Sequence, residues 1–375
     1  MGERSKSLPL DWGNIGLMAL VHVAAIGGMA LYLPLMGLSL GAALTGLVLT
    51  GLTIFSISAG YHRLFSHRAY EARPLVRLFL LIFGAGAFQN SVLTWSADHR
   101  RHHSRTDTEL DPYNAQRGFW HSHIGWVFHK PDADIPVSSV HDLERDPLVL
   151  WQHRHFGKIG ILAGLVLPAL IGLAFGDIVG GFVVGAALRL LVCYHATFAI
   201  NSFAHRFGTR PYSDKTSARD SLFVALLSMG EGYHNFHHAF PADYRNGAGR
   251  HQYDPTKWVL WLLERLGSVH HLKRTPVASI VRAQGRMQEQ HLETLNVPAT
   301  TRCRLQVLRE AKQLAATQLT EIIDRRKEAR ATAGPEARQR ARQLGADLKG
   351  ARRQFSDAAR AWRRMLDSIE LSPAQ

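Results

Sequence analysis

Long apolar runs dominate the first two-thirds of the chain. Four of them, roughly 14–36, 38–60, 157–176 and 178–200, reach the about 20 mostly apolar residues that a helix needs to cross a bilayer. The first two meet at a tight turn near Gly37-Leu38-Ser39, the last two at Gly176-Asp177. Each pair predicts an antiparallel hairpin that begins and ends on one side of a membrane. A further apolar stretch, 74–93, is broken by Arg77, Gly84, Gly86, Gln89 and Asn90. It reads as a helix at the membrane surface, because a fifth crossing would put His62 and His99 on opposite sides.

The pattern changes towards the C-terminus. Residues 301–331 and 336–369 read as two amphipathic helices joined at Gly334-Pro335, a C-cap glycine followed by a proline suited to a first helical turn. The second carries the seam Ala341, Leu344, Leu348, Ala351, Phe355, Ala358, Trp362, Met365, Ile369. The first repeats Leu305, Leu308, Ala315, Leu319 and Ile322, with Lys312 breaking it. This predicts a helical hairpin or coiled coil. The expected chain is all-α: a membrane domain over 1–275, a linker over 276–300 and the helical extension over 301–370.

Charge adds an orientation. The formal net charge is +14, partly from the extension and partly from residues flanking the apolar runs. The Arg- and His-rich segment 61–156 is expected on the cytoplasmic side, where basic residues also favour anionic lipid headgroups. No nucleic-acid motif accompanies the charge, so nucleic acid is not an expected partner. Cys193 and Cys303 form no CxxC pair, which predicts neither a disulfide framework nor a cysteine metal site. Arg4 and Lys6 precede an apolar stretch too long for a signal-peptide core, so the first run is expected to be a retained span.

The candidate chemistry lies in the histidines. One box is His62-Arg-Leu-Phe-Ser-His67. A spacing of five leaves its rings about 140° apart on an ideal α-helix, so they converge only where the helix ends or bends. His99-Arg-Arg-His102-His103 and His234-Asn-Phe-His237-His238 use spacings of three and four, which share one helical face. Asn201-Ser-Phe-Ala-His205 adds two polar groups at the end of the last span. Of the remaining histidines, His22 and His195 read as satisfied core groups. Nine imidazoles exceed the about four to six ligands of one first-row ion and suit two. Ligand type alone does not choose among iron, copper, zinc and nickel. Redox-inactive zinc would suit hydrolysis, whereas iron would suit O2 activation beside a hydrocarbon. Asp98, Asp107, Glu109, Asp111 and Glu231 are candidates for fixing ring tautomers.

At these residues the chain resembles the membrane-bound acyl-CoA desaturases of the stearoyl-CoA (delta-9) type, over about 40–260. The resemblance is carried by Gly60-Tyr-His-Arg-Leu-Phe-Ser-His67, Ala87-Phe-Gln-Asn90, Asp98-His-Arg-Arg-His-His103, Asp111-Pro-Tyr-Asn114, Arg117-Gly-Phe119, Ser122-His-Ile-Gly-Trp126, Asn201-Ser-Phe-Ala-His205 and Gly230-Glu-Gly-Tyr-His-Asn-Phe-His-His238. It implies four spans as a stem and a cytosolic helical cap holding two irons. It also implies that His62, His67, His99, His102, His103, His205, His234, His237 and His238 are ligands, with Asn201 reaching a metal through water. Zinc would be a substitute in recombinant protein. The acyl chain would follow a tunnel bent at Gln89, Trp95 and Thr197 and closed by Thr50 and Ile54. Asn90, Asp98 and Arg117 match positions near coenzyme A, with His129 and Lys130 supplying charge nearby. Ala97 stands where animal relatives place arginine, and Ser91 where they place aspartate, so an acyl carrier protein or a membrane lipid stays open as the acyl carrier. No cytochrome b5-like segment is evident, so electrons for O2 would come from a separate ferredoxin-type or cytochrome-type donor. The implied reaction is cis desaturation of a saturated acyl chain. A hydroxylase or alkane monooxygenase on the same scaffold, and a lipid-binding protein with a structural metal, are the alternatives.

Overall fold

The computed structural model describes residues 9–130, 140–295 and 297–370. They form two compact units, one of residues up to Thr209 with Lys215–Arg274, the other of Arg210–Asp214 with residues from Thr275 onward.

Four helices of the first unit are long and apolar enough to cross a membrane: α1 (Trp12–Met36), α2 (Leu40–Ser66), α6 (Pro147–Ala174) and α7 (Ile178–Arg206). At 1.5 Å per residue they measure roughly 38–44 Å. Large apolar side chains such as Leu20, Val23, Ile26 and Leu31 on α1 face outward, as on a lipid-facing surface. Hydropathy marks only part of each helix. α2 and α7 wind on past their apolar runs and carry His62 and His205. α6 begins earlier, where the Asp146 carboxylate accepts from the backbone N–H groups of Leu148 and Val149.

One carboxylate ties the two hairpin turns together. Asp177 caps α7 by accepting from the Gly180 N–H at 2.7 Å. Its other oxygen accepts from the Tyr32 hydroxyl and the Ser39 hydroxyl, each at 2.5 Å. Ser39 itself caps α2. Inside the helix packing, the buried guanidinium of Arg189 donates to the carbonyls of Gly86, Gly164 and Gly185 and to the Thr53 hydroxyl at 2.8–3.1 Å. A cation among apolar helices is tolerated because backbone carbonyls surround it.

Between α2 and α6 lie α3 (Pro74–Ala85), α4 (Val92–Arg105) and the short α5 (Phe119–His123). With 12 residues, α3 is about 18 Å long, too short to cross a bilayer. The chain breaks after it where Phe88 and Asn90 take φ of 52° and 69°, and Ser91 then caps α4. After α7 come α8 (Leu222–Leu227), α9 (His234–Ala239) and α10 (Pro255–Arg265). Strand β1 (Glu71–Ala72) pairs antiparallel with β2 (Val269–His270), returning the end of the unit to the region after α2.

The second unit contains α11 (Val277–Glu293), α12 (Ala299–Ala331) and α13 (Pro335–Glu370). Segment 276–300, expected as a linker, is therefore mostly helix. Its apolar positions Val277, Ile280, Val281, Met287 and Leu292 follow the helical period, and Val281, Ala283 and Gly285 are buried. Leu305, Leu319, Leu344, Leu348, Ala351 and Trp362 form buried seams along α12 and α13.

Asp177→Ala would remove a cap and the shared acceptor of two hydroxyls, costing about 2–3 kcal/mol. Thermal unfolding in detergent should shift down by several degrees; an unchanged midpoint would show that the two turns are held independently.

Candidate metal centre

The end of α2 departs from α-helical winding. Residues Ser56–Ser66 form a π-helix, in which bonds close between residues five apart. The His67 N–H donates to the His62 carbonyl at 3.1 Å. Residues five apart thus stack one above the other, and the two ring centroids lie 4.9 Å apart. The expected end or bend between them is replaced by a wider turn. Gly60 lets this turn pack against α3, since a Cβ there would sit 2.9 Å from Leu80.

The nine histidines of the boxes come together in two groups. His62, His67, His99, His103 and His237 form one; His102, His205, His234 and His238 form the other. Within each group, one ring nitrogen per residue lies within 4.8 Å of all the others. Three further helices contribute, each through its own geometry. α4 splits its box between the groups, with His99 and His103 on one side and His102 on the other. α9 does the same with His237 against His234 and His238. α7 ends at the centre with His205.

Acidic groups hold several of the outer ring nitrogens. His62 Nδ1 lies 2.6 Å from Glu231 Oε2, and His102 Nδ1 lies 2.8 Å from Asp111 Oδ1. His205 Nδ1 meets the Ser217 hydroxyl at 2.7 Å, and that hydroxyl meets Asp107 at 2.6 Å. Of the other acids expected here, Asp98 pairs with Arg101 and Glu109 with Arg117. These two pairings direct both carboxylates at arginines.

Two arginines fix the frame. Arg63 is 1 % exposed and spans Glu231 and Asp254 at 2.9–3.1 Å, while donating to the Tyr244 carbonyl at 2.7 Å. Arg100 on α4 donates to the carbonyls of Phe65 and Ser66 at the end of the π-turn and pairs with Asp142. The first and second boxes are thereby locked in register. Burial tends to raise the Asp142 carboxyl, but Arg100 and Arg68 hold it down to about 2.

Electrostatics keep six of the rings neutral. Burial, followed by the neighbouring imidazoles, drives His67, His99, His103, His234, His237 and His238 well below the ordinary histidine range. Burial pushes Glu231 up, yet His62 and Arg63 bring it down to about 2. Neutral imidazoles beside ionised carboxylates are what metal binding requires. Six Nε2–Nε2 pairs lie only 2.8–3.2 Å apart. A ring nitrogen carries either one hydrogen or one lone pair, yet His237 Nε2 meets both His62 and His103, and His234 Nε2 meets both His205 and His238, so hydrogen bonds among the rings cannot satisfy them all. A cation in each group relieves this, and metal–nitrogen bonds of about 2 Å fit the observed spread. The donor set therefore fits two ions.

A cavity of about 120 Å³ opens against both groups, reaching His62, His99 and His234. Of the expected substrate and water-bridging residues, Gln89, Asn90, Trp95, Asp98, Thr197 and Asn201 line it. Gln89 Nε2 donates to the Thr197 hydroxyl at 3.0 Å, and Trp95 stacks on His99 with centroids 4.8 Å apart. Arg117, Thr50 and Ile54 do not line it. Arg117 is engaged by Glu109, and the two α2 residues lie half-buried farther along the helix. The wall includes Leu17 and Met18 of α1 and Trp126, which the sequence reading did not single out as site residues. Trp126 Nε1 and Gln89 Oε1 are buried and have no hydrogen-bond partner among the described residues. For Trp126 the available signal was its place in Ser122-His-Ile-Gly-Trp126. His22 and His195 satisfy each other at 3.1 Å, and His195 continues to His123 at 3.0 Å.

Residues 37–266 match the family model for fatty acid desaturases, and the chain belongs to that family. It is 46% identical over 222 residues to a probable acyl-CoA desaturase of Schizosaccharomyces pombe, covering 59% of this chain and 46% of that protein. It is 45% identical over 221 residues to acyl-CoA desaturase 1 of Saccharomyces cerevisiae, covering 58% and 43%. It is 36% identical over 279 residues to stearoyl-CoA desaturase 5 of Bos taurus, covering 73% and 82%. The chain thus spans less than half the length of the two fungal relatives and most of the bovine one.

Asp111→Asn should loosen metal at the four-histidine group by about 10–100-fold, as loss of a partner to a ligand does. Metal analysis after chelator dialysis should show about half the wild-type content. Full retention would mean that Asp111 does not support a ligand.

Proposed function

We propose that the protein is an O2-dependent fatty-acyl desaturase that introduces a cis double bond, at the delta-9 position, into a saturated acyl-CoA. The observation that carries this reading is the pair of converging histidine groups, of five and four, opening on one narrow cavity. Iron is the metal proposed for both groups, with the nine histidines as ligands and Asn201 contributing through a water. When bound, it supplies O2 activation and the removal of hydrogen from an unactivated methylene pair.

The chain's own residues do the rest by positioning. Glu231 and Asp111 hold protons at Nδ1 of His62 and His102, which turns Nε2 of each ring towards the centre. The cavity wall excludes water and aligns an acyl chain against the five-histidine group, where Trp95 covers His99. The Gln89–Thr197 hydrogen bond sets the bend that selects the bond to be oxidised. Asn90 and Asp98 lie at the same cavity and are proposed to face the headgroup. Arg117 is left with Glu109, so the headgroup site is built from fewer charges than the resemblance implies. An acyl carrier protein or a lipid is the alternative carrier. Residues 1–275 form the desaturase domain in this reading, with the centre on the cytoplasmic face. A separate ferredoxin-type or cytochrome-type protein delivers the electrons.

Expression in desaturase-deficient cells, followed by gas chromatography–mass spectrometry of the fatty acids, should reveal a monounsaturated product. A hydroxy acid, or only saturated chains with the donor present, would overturn the assignment. His102→Ala and His237→Ala should each lower product by more than about 100-fold while the protein still reaches the membrane, because each removes a ligand from a different group. Substantial turnover in either variant would refute that ligand's role. Protein purified anaerobically from iron-replete cells should carry iron, and replacement by zinc should abolish O2 consumption.

A further inference from the structure

We propose that the helical extension holds a binding site for a phosphate-bearing anion, built around the buried ammonium of Lys312. Lys312 interrupts the apolar seam of α12, yet it is 7 % exposed. Its Nζ lies 5.5 Å from the centroid of the Trp362 ring on α13. That ring is 4 % exposed and is held in place by its Nε1–H, which donates to Gln288 Oε1 at 2.9 Å. Among the described residues, no hydrogen bond or ion pair reaches the ammonium. Burying a charge without a partner is costly, and contact with one aromatic face offsets only part of it.

Beside Lys312 is a cavity of about 240 Å³, far more than one water needs, which Arg282, Arg286 and Arg309 also line. Two carboxylates share the wall. Glu289 is taken up by Arg309, and Glu310 accepts from Gln306 at 3.0 Å. The cations thus outnumber the acids, and Arg282 and Arg286 stand exposed at the rim. A point-charge ammonium at the base and guanidinium forks at the rim match the several oxygens and multiple charge of a phosphate group. Burial and the nearby Arg363 lower the Lys312 pKa to about 8, which leaves it cationic at neutral pH. The ligand's source is either a soluble phosphate compound or a phospholipid headgroup.

The test uses the full chain in detergent micelles at low salt, with inorganic pyrophosphate as the probe in titration calorimetry. Wild-type protein should bind it. Lys312→Met should weaken binding at least tenfold while melting at an equal or higher temperature, because it removes a buried charge without changing the side-chain length much. Arg282→Gln and Arg286→Gln change exposed residues only, and each should weaken binding severalfold. Absence of wild-type binding overturns the proposal, as does equal affinity in the wild type and all three variants. Repeating the titration in nanodiscs of phosphatidylcholine and phosphatidic acid in equal parts separates the sources. Loss of pyrophosphate binding there assigns the site to a headgroup, and retention assigns it to a soluble phosphate.

Discussion

The π-turn at the end of α2 is the constraint on which the site depends. Two imidazoles five residues apart cannot converge from a regular α-helix, and Arg63 between them must still reach buried partners. Widening the turn meets both demands at once. It brings His62 edge-on to His67 and places Arg63 inside the protein between Glu231 and Asp254. Glu231 is also the group that holds His62, and Asp254 caps α10. The winding, the outer partner of a ring and the start of a helix far along the chain therefore stand or fall together. A buried ion network of this kind is costly when any member is lost.

Much of this architecture was legible because hydropathy and histidine spacing are local signals. The four long apolar runs appear as helices, and the HxxHH boxes on α4 and α9 needed only the α-helical period. What could not be read is what depends on distant partners. The π-winding of 56–66 is stabilised by Arg100 and Arg63, whose partners lie on other elements. α11, read as a linker, does carry a helical period, but its apolar face finds its partner only on α12, where Val277 packs against the Leu319 cluster. Arg189 lies inside an apolar run and Asp177 at the turn between two of them. Their role depends on carbonyls and hydroxyls contributed by other helices. Arg117 was assigned to a headgroup by resemblance, while Glu109, eight residues earlier, engages it here.

The two histidine groups are not equivalent. The larger one is anchored through Glu231, a carboxylate that also neutralises a buried guanidinium, so its negative charge is already shared. The smaller one leans on Asp111, whose oxygens also accept from the backbone N–H groups of Asp107 and Tyr113, and on the Ser217–Asp107 relay. The larger group meets the cavity through His62 and His99, the latter covered by Trp95, and the smaller group through His234. Ions held by the two groups would therefore have different surroundings.

The Asp177 tie has a consequence for height. It fixes the starts of α2 and α7 to a common baseline, and each helix then climbs without interruption to its histidines. From Ser39 to His62 the climb is about 35 Å, and from Asp177 to His205 it is about 42 Å. A hydrocarbon layer is about 30 Å thick. As membrane spans, the helices would act as stilts of set length that carry the ring cluster just clear of the oily layer. The cavity descends from there along α1 and α7, so in the proposed reading an acyl chain would not have to leave apolar surroundings. In a thicker bilayer the stilts would be too short, and the cluster would sink towards lipid that its ionised carboxylates cannot tolerate.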